Sequence, residues 1–178
     1  MDDTQPDGFH DELGNTMTGT FEFTLIDAET GDVDQQVEAN LVVDEGENSV
    51  LNWVAGNPVR NSNVTYDGWR YLAVGTDGTA VSDSDTSLGA EAERIDLDPN
   101  TNSGEYTRDE SAVSITGTWL FGTNEANVDI AEAGLFYVPD GDATQGSSDD
   151  YMLNRTVVDP VISKSSSQEL QVTWTLSM

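Results

Sequence analysis

Phe21, Phe23 and Leu25 alternate with Glu22 and Thr24 in TFEFTLI, the pattern of a strand buried on one side, and predict β-structure over Thr20–Ile26. Asp27-Ala-Glu-Thr-Gly-Asp then reads as a turn in which Gly31 supplies a positive φ. Val33–Val43 returns as a second strand, so the two runs form a hairpin. Over Asp44–Gly56 the period changes. Val50, Leu51, Trp53 and Val54 fall on one helical face, Asp44 with Glu47 three residues on predicts a capping box, and Gly56 with Pro58 ends the helix. Strand patterns resume at Trp69–Val74, Glu91–Leu97, Ala112–Phe121, Glu132–Val138, Tyr151–Ile162 and Glu169–Leu176. In Ala112–Phe121 the residues Val113, Ile115, Trp119 and Phe121 are expected to point inward, and in the last run Leu170, Val172, Trp174 and Leu176 share one face. Loops are expected at Asn57–Asp67, Asp98–Gly104 and Asp140–Asp150, with a short helical turn at Ser84–Leu88 inside the loop Asp83–Arg94.

About eight short strands, one helix and closely spaced turns predict a mostly β fold, an antiparallel β-sandwich of jelly-roll-like character. The polar, acidic segment 1–18 carries too little apolar surface to fold alone and reads as an N-terminal arm. Residues 19–178 then form a single sandwich domain.

Charge changes the picture most. The chain of 178 residues has 34 Asp and Glu against 6 Lys and Arg, a formal net charge of −28. From Met1 to Val59 there are 14 carboxylates and no Lys or Arg. The acids are scattered between the strand patterns rather than gathered in blocks, as on the outside of a folded protein. Their mutual repulsion fades as the Debye length falls from about 8 Å at physiological ionic strength to about 3 Å at molar salt. The composition is that expected of a protein built for brine. Phosphate contacts need Lys and Arg, so nucleic acid is not an expected partner. No apolar run reaches the ~18 residues of a membrane span, and the acidic N-terminus has no apolar signal-peptide core. Without cysteine, disulfides and thiolate metal sites are excluded.

The inventory of catalytic groups is thin. His10 is the only histidine and sits in the arm, so no Ser-His-acid constellation is expected. Lys164, the only lysine, lies in SKSSS and reads as a solvated hairpin-loop residue. Among the carboxylates Glu132 stands out, because it precedes the apolar run AGLF and can be carried inward. There it would accept backbone hydrogen bonds or pair with Arg94 or Arg155. Asp83-Ser-Asp85 and Asp140-Gly-Asp142 place two carboxylates at i, i+2, a spacing that suits Na⁺, K⁺, Ca²⁺ or Mg²⁺ in a loop, although neither continues into an EF-hand. Gly75-Thr-Asp-Gly78 lacks the lysine of a phosphate loop and reads as a turn. Asn63-Val-Thr65 and Asn154-Arg-Thr156 are glycosylation sequons, the second inside a strand. Trp119 and Trp174 read as core anchors.

Six segments, in order, carry a resemblance. Asn40–Leu51 (NLVVDEGENSVL) resembles an NLVTxxGxxxL opening, and Tyr71–Ala80 (YLAVGTDGTA) resembles an xIAVGTGTTAP strand and turn. Asp85–Arg94 (DTSLGAEAER) resembles DTxLxxExxR, and Glu132–Phe136 resembles EAGLF. Met152–Arg155 resembles MLxR, and Ile162–Lys164 with Leu170–Leu176 resembles IxK followed by LxVTWxI. Together they resemble a family of small structural proteins of tailed viruses, over about Asn40–Met178. The sequence departs from the family pattern at Asp77 and in its long acidic loops.

The resemblance implies a non-enzymatic virion protein, with the charge pointing to a virus of haloarchaea. As a decoration or turret subunit on the capsid surface, the chain would form homo-oligomers and contact the major capsid protein. As a tail or fibre module it would contact other tail proteins or the host cell surface through exposed aromatics such as Trp69, Tyr137 or Tyr151. A carboxylate-dependent glycosidase is a third alternative and requires two carboxylates about 5–9.5 Å apart in a cleft. The resemblance implies no cofactor. Arg94, Arg155 and Glu132 are expected to tie loop to strand.

Overall fold

The computed structural model describes residues 18–54, 69–97, 106–138 and 150–177, with residues 51–54 described by their backbone alone. The strands are β1 (Thr18–Asp27), β2 (Val33–Val42), β3 (Tyr71–Gly75), β4 (Glu91–Asp96), β5 (Thr107–Asp109), β6 (Ser114–Phe121), β7 (Asp129–Tyr137), β8 (Tyr151–Ser163) and β9 (Gln168–Ser177). The helix α1 (Asp44–Val54) follows β2 directly. All pairings are antiparallel, in the order β4-β3-β7-β8-β2-β1-β9-β6-β5. The sheet curls into two facing leaves, β4-β3-β7-β8 and β2-β1-β9-β6-β5. The mostly β, antiparallel sandwich with one helix is therefore the architecture observed.

The leaves meet at a narrow seam, where β2 pairs with β8 only at Leu41↔Arg155 and Val42↔Asn154. The Val43 N–H extends it by donating to the Leu153 carbonyl. Beyond it the strands diverge, and side chains span the gap. The Thr156 hydroxyl donates to the Ala39 carbonyl, and Gln36 Nε2 donates to the Pro160 carbonyl.

The core follows the alternation. Phe21, Phe23, Trp119, Phe121, Leu170 and Val172 project from one leaf onto Leu72, Val74, Leu135, Leu153 and Val158 of the other. Trp119 and Trp174 are buried and meet Tyr106 edge-on, with ring centroids at 6.0 and 6.4 Å. Trp119 Nε1 donates to the Arg70 carbonyl, which also accepts the Leu97 N–H, riveting one leaf to the other. A second, smaller cluster of Val43, Tyr71, Ala73, Leu88, Phe136, Val138 and Met152 lies on the outer side of the β4-β3-β7-β8 leaf.

Several expectations need correction. Val113 is exposed in the β5–β6 turn at φ 49°, a conformation that a β-branched side chain resists, so the inward alternation starts at Ile115. Ser84–Leu88 is not helical. The Asp85 carboxylate accepts the Ser82 N–H and holds a turn there instead. The Glu47 N–H donates to the Val43 carbonyl, so Asp44 sits inside the first helical turn rather than capping it. The strand β5 has three exposed residues and no period to read. The arm with His10, the loop Asn57–Asp67 with Asn63, the turn Asp98–Gly104 and the residues 139–149 with Asp140 and Asp142 lie outside the described residues.

Candidate functional site

In β3 the residues Tyr71, Ala73 and Gly75 face outward, while Leu72 and Val74 enter the core. Register places Ala73 between Arg94 of β4 and Gly134 of β7, and Gly134 beside Arg155 of β8. Two arginines thus flank two very small residues, which leaves room for their guanidinium groups over the sheet. One step along, Gly75 pairs with Glu132, and a Cβ at Gly75 would run into the Glu132 Oε1 and the Ala90 carbonyl. Glycine is needed there by space rather than by φ.

Glu132 is fully buried and gathers four N–H donors besides its ion-pair contact with Arg155 Nη2. Its Oε1 accepts from Ala90 at 2.7 Å and from Asp77 at 3.3 Å. Its Oε2 accepts from Gly89 at 2.9 Å and from Arg155 Nε at 3.0 Å, with Arg155 Nη2 in ion-pair contact at 2.8 Å. Arg155 continues outward, with Nη1 on the Asp85 carboxylate at 2.8 Å and Nη2 on the Thr79 carbonyl. The chain from Thr76 to Ala90 is folded around this one ion pair. Burial pulls the Arg155 guanidinium down, but the bond to Asp85 and the charge of Glu132 hold it above its ordinary value.

Arg94 forms a parallel centre. It grips Glu91 with Nε and Nη2, both at 2.8 Å, and reaches Asp150 with Nη1 at 2.5 Å. Its guanidinium lies 4.4 Å from the centroid of the Phe136 ring. Burial opposes its charge, and bonds to Glu91 and Asp150 outweigh burial, so its pKa is raised. Glu45 accepts the Met152 N–H from the first turn of α1. Burial raises its pKa against that bond, with Asp150 adding to the rise.

Arg155 thus pairs with Glu132 on the neighbouring strand and reaches Asp85 outside the strands, while Arg94 pairs with Glu91 on its own strand and reaches Asp150. Asp83 and Asp85 line an open groove of ≈ 480 Å³ with Asp44, Glu45 and Tyr151, but Asp85 is engaged by Arg155 and the Asp83 carbonyl accepts the Asp44 N–H. Among the described residues, no three His, Cys, Asp or Glu side chains form a group suited to a metal. Tyr137 is buried and stacked on Tyr151, and Trp69 is half-buried with its carbonyl accepting the Tyr106 hydroxyl. Asn154 is fully buried, its Oδ1 accepting the Leu135 N–H, which takes the second sequon off the surface.

Lys164 corrects the expectation of a solvated lysine. It is buried, and its Nζ donates to the Gly122 and Glu125 carbonyls and to Asn127 Oδ1 at 2.7–3.0 Å. Burial lowers its pKa despite the nearby charges of Glu125 and Glu169. Sequence reasoning also missed Asp150 and the backbone donors of Asp77, Gly89 and Ala90. Main-chain N–H groups leave no compositional trace, and the only signal available was the recurrence of glycine at 75, 78 and 89.

Of the five cations in the described residues, three are buried and Arg70 is half-buried on Asp96 at 2.8 Å, so Arg108 alone stands exposed. The exterior is left overwhelmingly to carboxylates. Comparison with family models, curated proteins and solved structures finds no match.

Proposed function

We propose that this protein is a non-enzymatic structural subunit of a virion, a decoration or turret protein on the capsid of a tailed virus from a salt-rich habitat. The observation that carries the proposal is the convergence on Glu132 and Arg155. Tyr71–Ala80, Asp85–Arg94, Glu132–Phe136 and Met152–Arg155 are distant in sequence and are the segments that resemble virion proteins. They meet in one buried bonded cluster. The resemblance thus coincides with a single architectural unit.

The same cluster supports a structural rather than a catalytic role. A general acid or nucleophile needs lone pairs and an approach path, while Glu132 has four N–H donors and an arginine on its two oxygens and no exposed surface. The distribution of cations supports the high-salt habitat. With Arg94, Arg155 and Lys164 drawn inward, the acids of the surface face solvent, where hydrated cations would neutralise them and keep particles dispersed. The major capsid protein is the partner that such a subunit would dock on.

Immunogold electron microscopy of particles made from the genome that encodes the chain tests this. Label over the capsid shell is the expected result. Label confined to the tail tip would move the protein to the host-adhesion role, and absence of the chain from purified particles would overturn the proposal.

A further inference from the structure

The two leaves differ on their outer sides. The β4-β3-β7-β8 leaf is covered by α1, whose Gly46 sits directly on the Leu153 backbone, and by the Thr76–Ala90 chain. None of the described elements lies across the outer side of the β2-β1-β9-β6-β5 leaf. We propose that this face, which none of the described elements covers, is the surface through which two copies of the chain associate. The proposal rests on the homo-oligomeric reading given above and names its interface.

Register fixes what the face presents. Opposed residues in antiparallel strands share a side, so the partners of the inward Trp119, Val172 and Phe21 leave the intervening residues outward. The rows Thr116–Thr175–Thr20 and Thr118–Thr173–Glu22 run across three strands. The threonine hydroxyls bond to each other, Thr116 to Thr175 at 3.1 Å and Thr118 to Thr173 at 3.2 Å. Side chains locked in this way lose little further entropy on association. Val33 and Val37, exposed by 57% and 60%, extend the face along β2.

Charge identifies the occupant. On this side the ladder residues include three carboxylates, Glu22, Asp109 and Glu169, and no cation. A cationic partner would be drawn to the carboxylate-rich loops instead. A second copy, itself at −28, can approach closely only where its own surface and the surface it meets are nearly neutral. Asp109 and Glu169 lie toward the margins, and Glu22 lies one strand from Thr173. A twofold axis that lies between the two faces and runs along β9 past Thr173 places the two Glu22 residues on opposite sides of it, about two strand spacings, ~10 Å, apart along the face.

The area is sufficient. Five strands at roughly 4.8 Å, each about eight residues long at ~3.3 Å, give a face near 600 Å² per copy. Two such faces bury about 1,200 Å², the lower bound for a stable interface.

The test is sedimentation velocity in molar KCl on the intact chain, on Thr173→Arg and on the control Val161→Arg, which places the same charge on exposed β8. Near-UV circular dichroism of the tryptophans verifies the fold of each. Wild type and control are expected to dimerise, and Thr173→Arg to bind itself more than about tenfold more weakly, since it buries an unpaired charge. As a second measurement, Thr173→Cys is treated with a short bismaleimide, which has no native thiol to compete. Cross-linked dimer is expected from it and not from Val161→Cys. A wild-type oligomer that survives Thr173→Arg and resists the cross-linker overturns this face while leaving self-association standing. A monomeric wild type in molar salt overturns both.

Discussion

Glu132 and Arg155 show what a buried ion pair requires: three backbone N–H groups, Asp85 and the Thr79 carbonyl satisfy what the two charges leave over. Removing one partner leaves the other uncompensated. Glu132→Gln is expected to lower the unfolding free energy by about 3–5 kcal/mol, read from urea titrations at fixed KCl, and Glu132→Leu combined with Arg155→Met to recover part of it. Lys164→Met strips a donor from three oxygens and is expected to cost about 1–3 kcal/mol in the same titration. The arginine–carboxylate sites were legible, because scarce cations stood near Glu91 and Glu132 in strand-like segments. Lys164 was not. Its acceptors lie some forty residues upstream, in the turn at Gly122–Asn127, and nothing in SKSSS marks it as buried.

At the scale of elements, period-2 alternation located β1, β6 and β9 because each buries one side only, and the helix because its period differs from its neighbours. The segment Ser84–Leu88 misled, since its local composition allows a helical turn while Asp85 is claimed by Arg155 and by the Ser82 N–H. The helix also carries a glycine that ordinary propensity cannot explain. Replacing an interior helical glycine by alanine is usually worth about 1 kcal/mol, yet a Cβ at Gly46 would overlap the Leu153 carbonyl, a backbone atom with little freedom to yield. Gly46→Ala is therefore expected to lower the melting temperature, and a rise in thermal melts would contradict the contact.

For the whole molecule, the order β4-β3-β7-β8-β2-β1-β9-β6-β5 was beyond sequence reasoning. Every inward face looks alike to a hydrophobic pattern, and the choice among neighbours is made by register and by paired details such as the Arg70 carbonyl accepting from both Trp119 Nε1 and the Leu97 N–H. The charge, in contrast, is a property of the whole chain and was legible at once. With Arg94, Arg155 and Lys164 buried and 34 acids set against 6 Lys and Arg, the carboxylates have few partners of opposite sign. The melting temperature is expected to climb steeply with KCl and to level off once the Debye length falls to about 3 Å, as scanning calorimetry across a salt series would record. A flat response would mean that the surface charge does not strain the fold.

The seam at Leu41–Val42 gives the molecule a grain. Along each leaf, force is carried by ladders of up to ten residue pairs, as between β1 and β9, while between β2 and β8 it crosses two pairs and a few side-chain bridges. Pulled across that line the protein is a book held by its spine. Away from the spine the two leaves are held by what lies between them, the shared core and the Trp119–Arg70 bond, so a load that parts them is borne by packing rather than by a ladder of backbone hydrogen bonds.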